Sequence, residues 1–184
     1  MAQTTLETLE RRLALLEDER AIREIIARYA HFADLGHDEA WVGQWTEDGV
    51  YDLITVLRAG IGYEGRIIHE GRAGLWEHAL DPVAAKAMQG RALHMQDLNL
   101  VIRTNGDTAV AESYSMTLMR EGDATILHSA GIIRWTLRRV DGHWRISEKK
   151  RRPIGDFDLF TDIAPAPTGG EAGQGGAARR DPGL

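Results

Sequence analysis

The second half of the chain constrains its fold most. Four long segments, 93–103, 108–120, 124–140 and 143–151, are rich in β-branched and aromatic residues. They are separated only by Asn105-Gly106-Asp107, Glu121-Gly122-Asp123 and Asp141-Gly142. Connections this short reverse the chain at once, so each strand must pair antiparallel with the next. Strands of ten or more residues twist and curl. A curled sheet exposes a concave face that something else must cover.

The first third supplies the cover. Leu6, Leu9, Leu13 and Leu16 recur at helical spacing. Ile22, Ile25, Ile26, Tyr29 and then Phe32 or Ala33 continue the period after a polar interval at 17–20. The spacing predicts an amphipathic helix and then a second one reaching about Leu35, with Gly36 as its left-handed stop. Asp38 suits the N-cap of a short third helix carrying Trp41 and Trp45. Residues 46–56 read as a turn and a strand, 60–65 as a glycine-rich loop, 66–68 as a short strand and 70–80 as a helix ended by Asp81-Pro82. Residues 83–91 read either as a mobile loop or as a short helix. The fold class is α+β: a cone-shaped, curved antiparallel sheet with about three to four helices on its concave face, a shape with a mouth in which pockets form readily. One domain is expected over 1–155, with 1–17 as an N-terminal helix. A C-terminal extension, 156–184, follows. Its first residues, 156–163, are apolar enough to dock on the domain or a neighbouring subunit, and the Ala/Pro/Gly-rich stretch after 164 is expected to be largely flexible.

Composition removes several functions. The 184 residues carry a net charge of −6 and contain no cysteine. Thiolate nucleophiles, disulfides and cysteine-held metals are therefore excluded. Nucleic acid is not an expected partner. The one basic cluster, KKRR at 149–152, lies at a strand end and reads as solvated. No apolar run approaches the ~18 residues of a membrane span, and no secretory pattern opens the chain, so a soluble cytoplasmic protein is expected. No histidine pair has metal-ligand spacing, no glycine loop fits a phosphate and no GxSxG elbow occurs, so neither a metal nor another cofactor is indicated.

The residues with chemistry in them are few. Tyr29 lies on the apolar stripe of its helix, where a core tyrosine with a partnered hydroxyl is the simple reading. Asp34 sits five positions later, in the last turn, facing the negative end of the helix dipole. Strand alternation aligns His94 with Gln96, Leu98, Leu100 and Ile102, an interior face. His94 is then either a hydrogen-bonded core histidine or, if Asp34 meets it, half of a proton-transfer pair. His128, in line with Ile126, Ala130 and Ile132, can reach the same interior. Tyr51, Trp45, Tyr114 and Met116 are candidate pocket walls. His31, His37, His69, His78 and His143 are weaker candidates on helix flanks and turns.

The order of these features resembles a known group. A helix ending in RYAHFADLGHDEAW leads to WTEDGVYD, then EGR with a helix, ALHMQDLNLVI, NGDTAVAESY and finally GHWRISEKKRR. This is similar to the nuclear transport factor 2-like superfamily, in its SnoaL-like (polyketide cyclase-like) branch, over about residues 16–152. Within that branch, scytalone dehydratases, bile acid 7α-dehydratases and hexachlorocyclohexane dehydrochlorinases share an Asp–His pair at the positions of Asp34 and His94. Bile acid 7α-dehydratases also place a tyrosine where Tyr29 stands. The resemblance implies a cofactor-independent lyase or isomerase that removes a carbon-bound proton from a small, apolar, oxygenated molecule (steroid, polyketide or aromatic), with His94 as base, Asp34 orienting it and Tyr29 donating to oxygen. It departs from scytalone dehydratases at the next strand, where 113–117 hold no histidine. The ketosteroid isomerase pattern and the Arg–Asp pairs of limonene epoxide hydrolases are not evident. The alternative is a non-catalytic binding or oligomerisation module, with Trp135 and Trp144 buried at a subunit contact on the sheet's outer face. A homo-oligomer, dimer or trimer, is expected on either reading.

Overall fold

The computed structural model describes residues 2–55 and 65–160. Most of the loop expected at 60–65 and the extension beyond 160 lie outside the described residues. The chain runs α1 (Ala2–Leu35), α2 (Asp38–Gly43), β1 (Trp45–Thr55), β2 (Gly65–Glu70), α3 (Gly71–Leu80), α4 (Ala85–Met88), β3 (Ala92–Asn105), β4 (Thr108–Glu121), β5 (Ala124–Val140) and β6 (His143–Pro153), then a 3₁₀ turn at Phe157–Phe160. The strands form one sheet in the order β2-β1-β6-β5-β4-β3. All neighbours are antiparallel except β1 and β6, which run parallel. The three hairpins read from the sequence are present, and α+β with N-terminal helices packed on a curved, unclosed sheet is the observed class.

Three expectations need correction. The two N-terminal helices are one continuous α1, because the polar interval 17–20 interrupts the apolar stripe without a helix breaker. Trp45 opens β1 and does not extend α2. Trp135 and Trp144 are buried within the chain itself: Trp135 packs at 5.1 Å from the Tyr29 ring, and the Trp144 indole donates to Asp18 on α1. The helices cover the face on which those tryptophans sit.

Curvature comes from β-bulges. Between β4 and β5 the register passes from Thr117–Ser129 to Leu118–Leu127, so His128 is the extra residue. Between β5 and β6 it passes from Thr136–Glu148 to Leu137–Ile146, so Ser147 is extra, and its hydroxyl donates to the Thr136 carbonyl. The β3–β4 ladder carries two more irregularities. Each bulge bends its strand and raises the local twist. The core gathers Ile22, Ile26 and Tyr29 of α1, Trp41 and Val42 of α2, Leu75 of α3 and the inward residues Ala111, Ile133, Leu137 and Ile146. Buried Asp52 on β1 is held by two guanidinium forks, from Arg66 on β2 (3.0 and 2.9 Å) and Arg152 on β6 (3.2 and 2.6 Å), which tie three strands together.

Gly131 of β5 lies tight against the backbone of β6. A Cβ built there lies 2.3 Å from the Arg152 carbonyl oxygen, so the strands must part to admit a methyl group. Overpacking of this kind costs about 1–3 kcal/mol. Gly131→Ala is therefore expected to lower Tm by roughly 3–10 °C in a chain of this size. An unchanged thermal unfolding midpoint contradicts the backbone contact.

Candidate active site

A cavity of about 90 Å³ opens between α1, α2, α3, α4 and the concave face of the sheet. Its position depends on how α1 ends. Gly36 takes φ +73°, and the His37 N–H donates to the Phe32 carbonyl, a left-handed helix stop. Asp34 thus lies in the final turn, pointed at the start of β3. One carboxylate oxygen accepts the His94 backbone N–H at 3.0 Å, and the other lies 2.5 Å from His94 Nδ1. Both side chains are largely enclosed, 12% and 16% exposed respectively. With Nδ1–H donated to the carboxylate, Nε2 retains a lone pair, the arrangement of a general base.

Asp38 and residues 83–91 build the rim. Asp38 does not cap α2; its carboxylate accepts from Lys86 and, at 2.9 Å, from Gln89, joining α2 to the α4 segment. The Gly90 N–H donates to the Asp34 carbonyl at 2.9 Å. Residues 83–91 are therefore a turn, a short helix and a tight return over the mouth.

Deeper in, Tyr29, Tyr51, His78, Gln96, Thr117, His128, Ser129, Lys149 and Arg151 complete the wall. Of the sequence candidates, the structure brings Tyr29, Tyr51, His94 and His128 to this cavity, with Asp34 bonded to His94 at its edge. His128 reaches it because its bulge turns both His128 and Ser129 inward. Trp45 packs behind Tyr29 and Tyr51, at ring distances of 6.1 and 6.0 Å, and does not line the space. Tyr114 and Met116 do not line it either. Alternation sends Ser113, Ser115 and Thr117 inward, and Tyr114 instead meets Phe160. His31 and His37 are exposed.

Lys149 and Arg151 reverse the reading of the basic cluster as solvated, since both are buried. Counted from buried Trp144 and Ile146, strict alternation points them outward, and the extra residue Ser147 switches the parity. Lys149 Nζ donates to the Tyr29 hydroxyl at 2.9 Å. Arg151 donates to the Ser115 hydroxyl at 3.2 Å, while its Nη2 is buried without a partner. No carboxylate among the described residues lies within ion-pair distance of either cation. Burial, with Tyr51 adding to it, raises the Tyr29 phenol well above its ordinary pKa, so it keeps its proton at neutral pH and can donate a hydrogen bond. Burial lowers His128, with His94 and Arg151 adding to the effect.

Comparison with known proteins accords with this geometry. Residues 14–150 match the model of the SnoaL-like domain, so the chain belongs to that family, within the nuclear transport factor 2-like fold. A nuclear transport factor 2-like protein with a cystatin-like fold from Novosphingobium aromaticivorans is 30% identical with a TM-score of 0.69, covering 82% of this chain and 91% of that one. A Mycobacterium tuberculosis protein of unknown function, solved as an Asp-to-Asn variant, is 25% identical with a TM-score of 0.60, over 82% and 87%. A proposed scytalone dehydratase from Novosphingobium aromaticivorans is 18% identical with a TM-score of 0.58, over 76% and 95%, a likeness of fold alone. No curated protein matches the chain. Among the described residues no helix is long and apolar enough to cross a membrane.

His78 supplies a pH test of the cavity wall. It packs against Tyr51, Trp41 and His69, and its Nδ1 has no partner. Burial foremost, then the charges of His69, Lys149 and His94, lower its pKa to about 3. Its folded pKa thus lies below its unfolded one, and the unfolded chain takes up the proton first. Stability is lost as pH falls from about 6.5 toward 3. Between pH 6.5 and 4.5 this group alone accounts for on the order of 2 kcal/mol. Denaturant titrations are expected to show a shallower loss over that interval in His78→Phe than in the unsubstituted protein. Parallel losses contradict a neutral, buried His78.

Proposed function

We propose that the protein is a cofactor-independent lyase or isomerase of the dehydratase type, acting on a small, apolar, oxygenated molecule such as a steroid, polyketide or aromatic compound. The observation that carries the reading is the Asp34–His94 contact of 2.5 Å at the edge of the cavity. His94 Nε2 removes a proton from carbon beside a carbonyl. Asp34 fixes the ring through two bonds, one to Nδ1 and one to the residue's own N–H, and stabilises the imidazolium that forms. Tyr29, protonated and buried, donates to the oxygen on which charge develops, and the unpartnered Arg151 Nη2 adds a cation on the same wall. Tyr51 and His128 line the substrate space. Activity toward hydroxy-ketone and hydroxy-steroid panels is expected to fall at least ~10²-fold in kcat/KM in His94→Ala. Activity untouched by that substitution rules the mechanism out.

The working unit we propose is a cytoplasmic homo-oligomer. Leu6, Leu9, Leu13 and Leu16 recur at the 3-4-3 spacing of a coiled-coil seam and are 56–64% exposed on α1. A second copy of the same helix is the occupant that matches such a stripe. Light scattering is expected to give a multiple of 20.4 kDa for the unsubstituted chain and a smaller species for Leu9→Lys/Leu13→Lys. A monomer in both cases ends that reading.

A further inference from the structure

Proton abstraction by His94 gives Lys149 nothing to do, yet its setting is unlike that of the other two lysines. There are three lysines. Lys86 pairs with Asp38 and Lys150 with Glu148, and both are about one-third exposed. Lys149 is 2% exposed and has no carboxylate partner among the described residues. Its Nζ lies 4.1 Å from the centre of the Tyr29 ring, 4.9 Å from Trp135 and 5.2 Å from Tyr51. Two positions along the same face of β6 stands Arg151, a second buried cation. The side chain nonetheless lines the cavity.

An ammonium ion here has lost its hydration and faces a like charge. The ring faces and the Tyr29 oxygen return only part of what burial removes. Burial first, and Arg151 second, push the group well below the ordinary lysine range. A desolvated lysine beside another cation is the form in which the amine becomes a nucleophile at neutral pH. One N–H is given to Tyr29, and in the neutral amine the nitrogen lone pair stays uncommitted.

We propose that Lys149 is an amine nucleophile that condenses with the carbonyl group of an aldehyde or ketone bound in the cavity. The proposal rests on the proton-abstraction reading for its use in turnover, and it narrows the substrate to one bearing a free carbonyl. The lone pair of Nζ forms a C–N bond as the C=O π pair moves onto oxygen, and one N–H proton passes to that oxygen. The resulting hydroxyl takes a proton from solvent at the cavity mouth and leaves as water, with the Tyr29 phenol as a hydrogen-bond partner, and a protonated imine remains. The positive nitrogen acidifies the adjacent C–H, which His94 deprotonates to an enamine. The enamine pair then expels a β-hydroxyl, which leaves as water with the proton His94 took up, or recaptures that proton at another carbon. Addition of water to the imine returns the carbonyl and the free amine, so no oxidant or reductant is consumed.

Reductive trapping tests this on the full chain. The protein is incubated with benzaldehyde near pH 7, reduced with sodium cyanoborohydride, and its peptides are mapped by mass spectrometry. Benzaldehyde has no enolisable proton, so trapping does not need the Asp34–His94 pair. The expected result is one secondary-amine adduct at Lys149, at least ~10-fold above Lys86, Lys150 and the N-terminal amine. That preference is absent in urea-unfolded protein, and benzyl alcohol gives no adduct. Lys149→Met is expected to lose the adduct and His94→Ala to keep it. No adduct at Lys149 in the folded, unsubstituted protein, or labelling spread evenly over the three lysines, overturns the proposal. The two readings fail separately. Turnover that depends on His94 but survives in Lys149→Met removes the amine and leaves the dyad. An adduct at Lys149 with turnover indifferent to His94→Ala removes the dyad and leaves the amine.

Discussion

The cavity depends on one extra residue in β6. Without the bulge at Ser147, the alternation that buries Trp144 and Ile146 carries Glu148, Lys150 and Arg152 inward and turns Lys149 and Arg151 to solvent. With it, a single strand packs aromatic and aliphatic side chains against α1 at one end and presents two basic side chains, Lys149 and Arg151, to the cavity at the other. Arg152, now facing the other way, grips Asp52 and fixes β6 to β1. The same displacement therefore builds the floor of the cavity and fastens the parallel pair of β1 and β6. The bulge at His128 works alike on the neighbouring strand, where both His128 and Ser129 face inward.

Burying so much polarity is expensive, and the fold offsets it unevenly. Asp52 has two guanidinium forks, and its carboxyl is held below the usual range despite the opposing effect of burial. The cavity wall has no such compensation. Arg151 Nη2, Gln96 Oε1 and His78 Nδ1 are all buried without partners. A buried polar atom without a partner carries a penalty of about 1–3 kcal/mol. Three of them around one cavity form a set of unmade bonds that a ligand with oxygen atoms can complete.

Much of the fold was legible in the sequence because its signals are local. Short Gly-containing turns fixed the hairpins, the 3.6-residue period located α1, and Gly36 marked its end. The Asp34–His94 pair was left open by the residues themselves and favoured through resemblance, since nothing local says that a helix end and a strand start sixty residues apart will meet. Lys149 and Arg151 were misread because a bulge has no reliable local signature, and parity counted along a strand is only as good as its register. Tyr114 and Met116 were misplaced by choosing the wrong face of β4, where Ser113, Ser115 and Thr117 are the inward set. The tryptophans that the alternative reading placed at a subunit contact belong to the chain's own core, because a long α1 lies over the face that carries them.

The rim adds a mechanical property to the chemistry. The peptide that closes the mouth at Gly90 is hydrogen-bonded to the carbonyl of Asp34, and the side chains of Lys86 and Gln89 are anchored on Asp38, four residues further along. A guest bulky enough to lift residues 85–90 pulls on the same turn that aims the carboxylate at His94. Discrimination by size in such a pocket acts as a tether as well as a wall: an oversized molecule can enter, and in entering it slackens the apparatus meant to act on it.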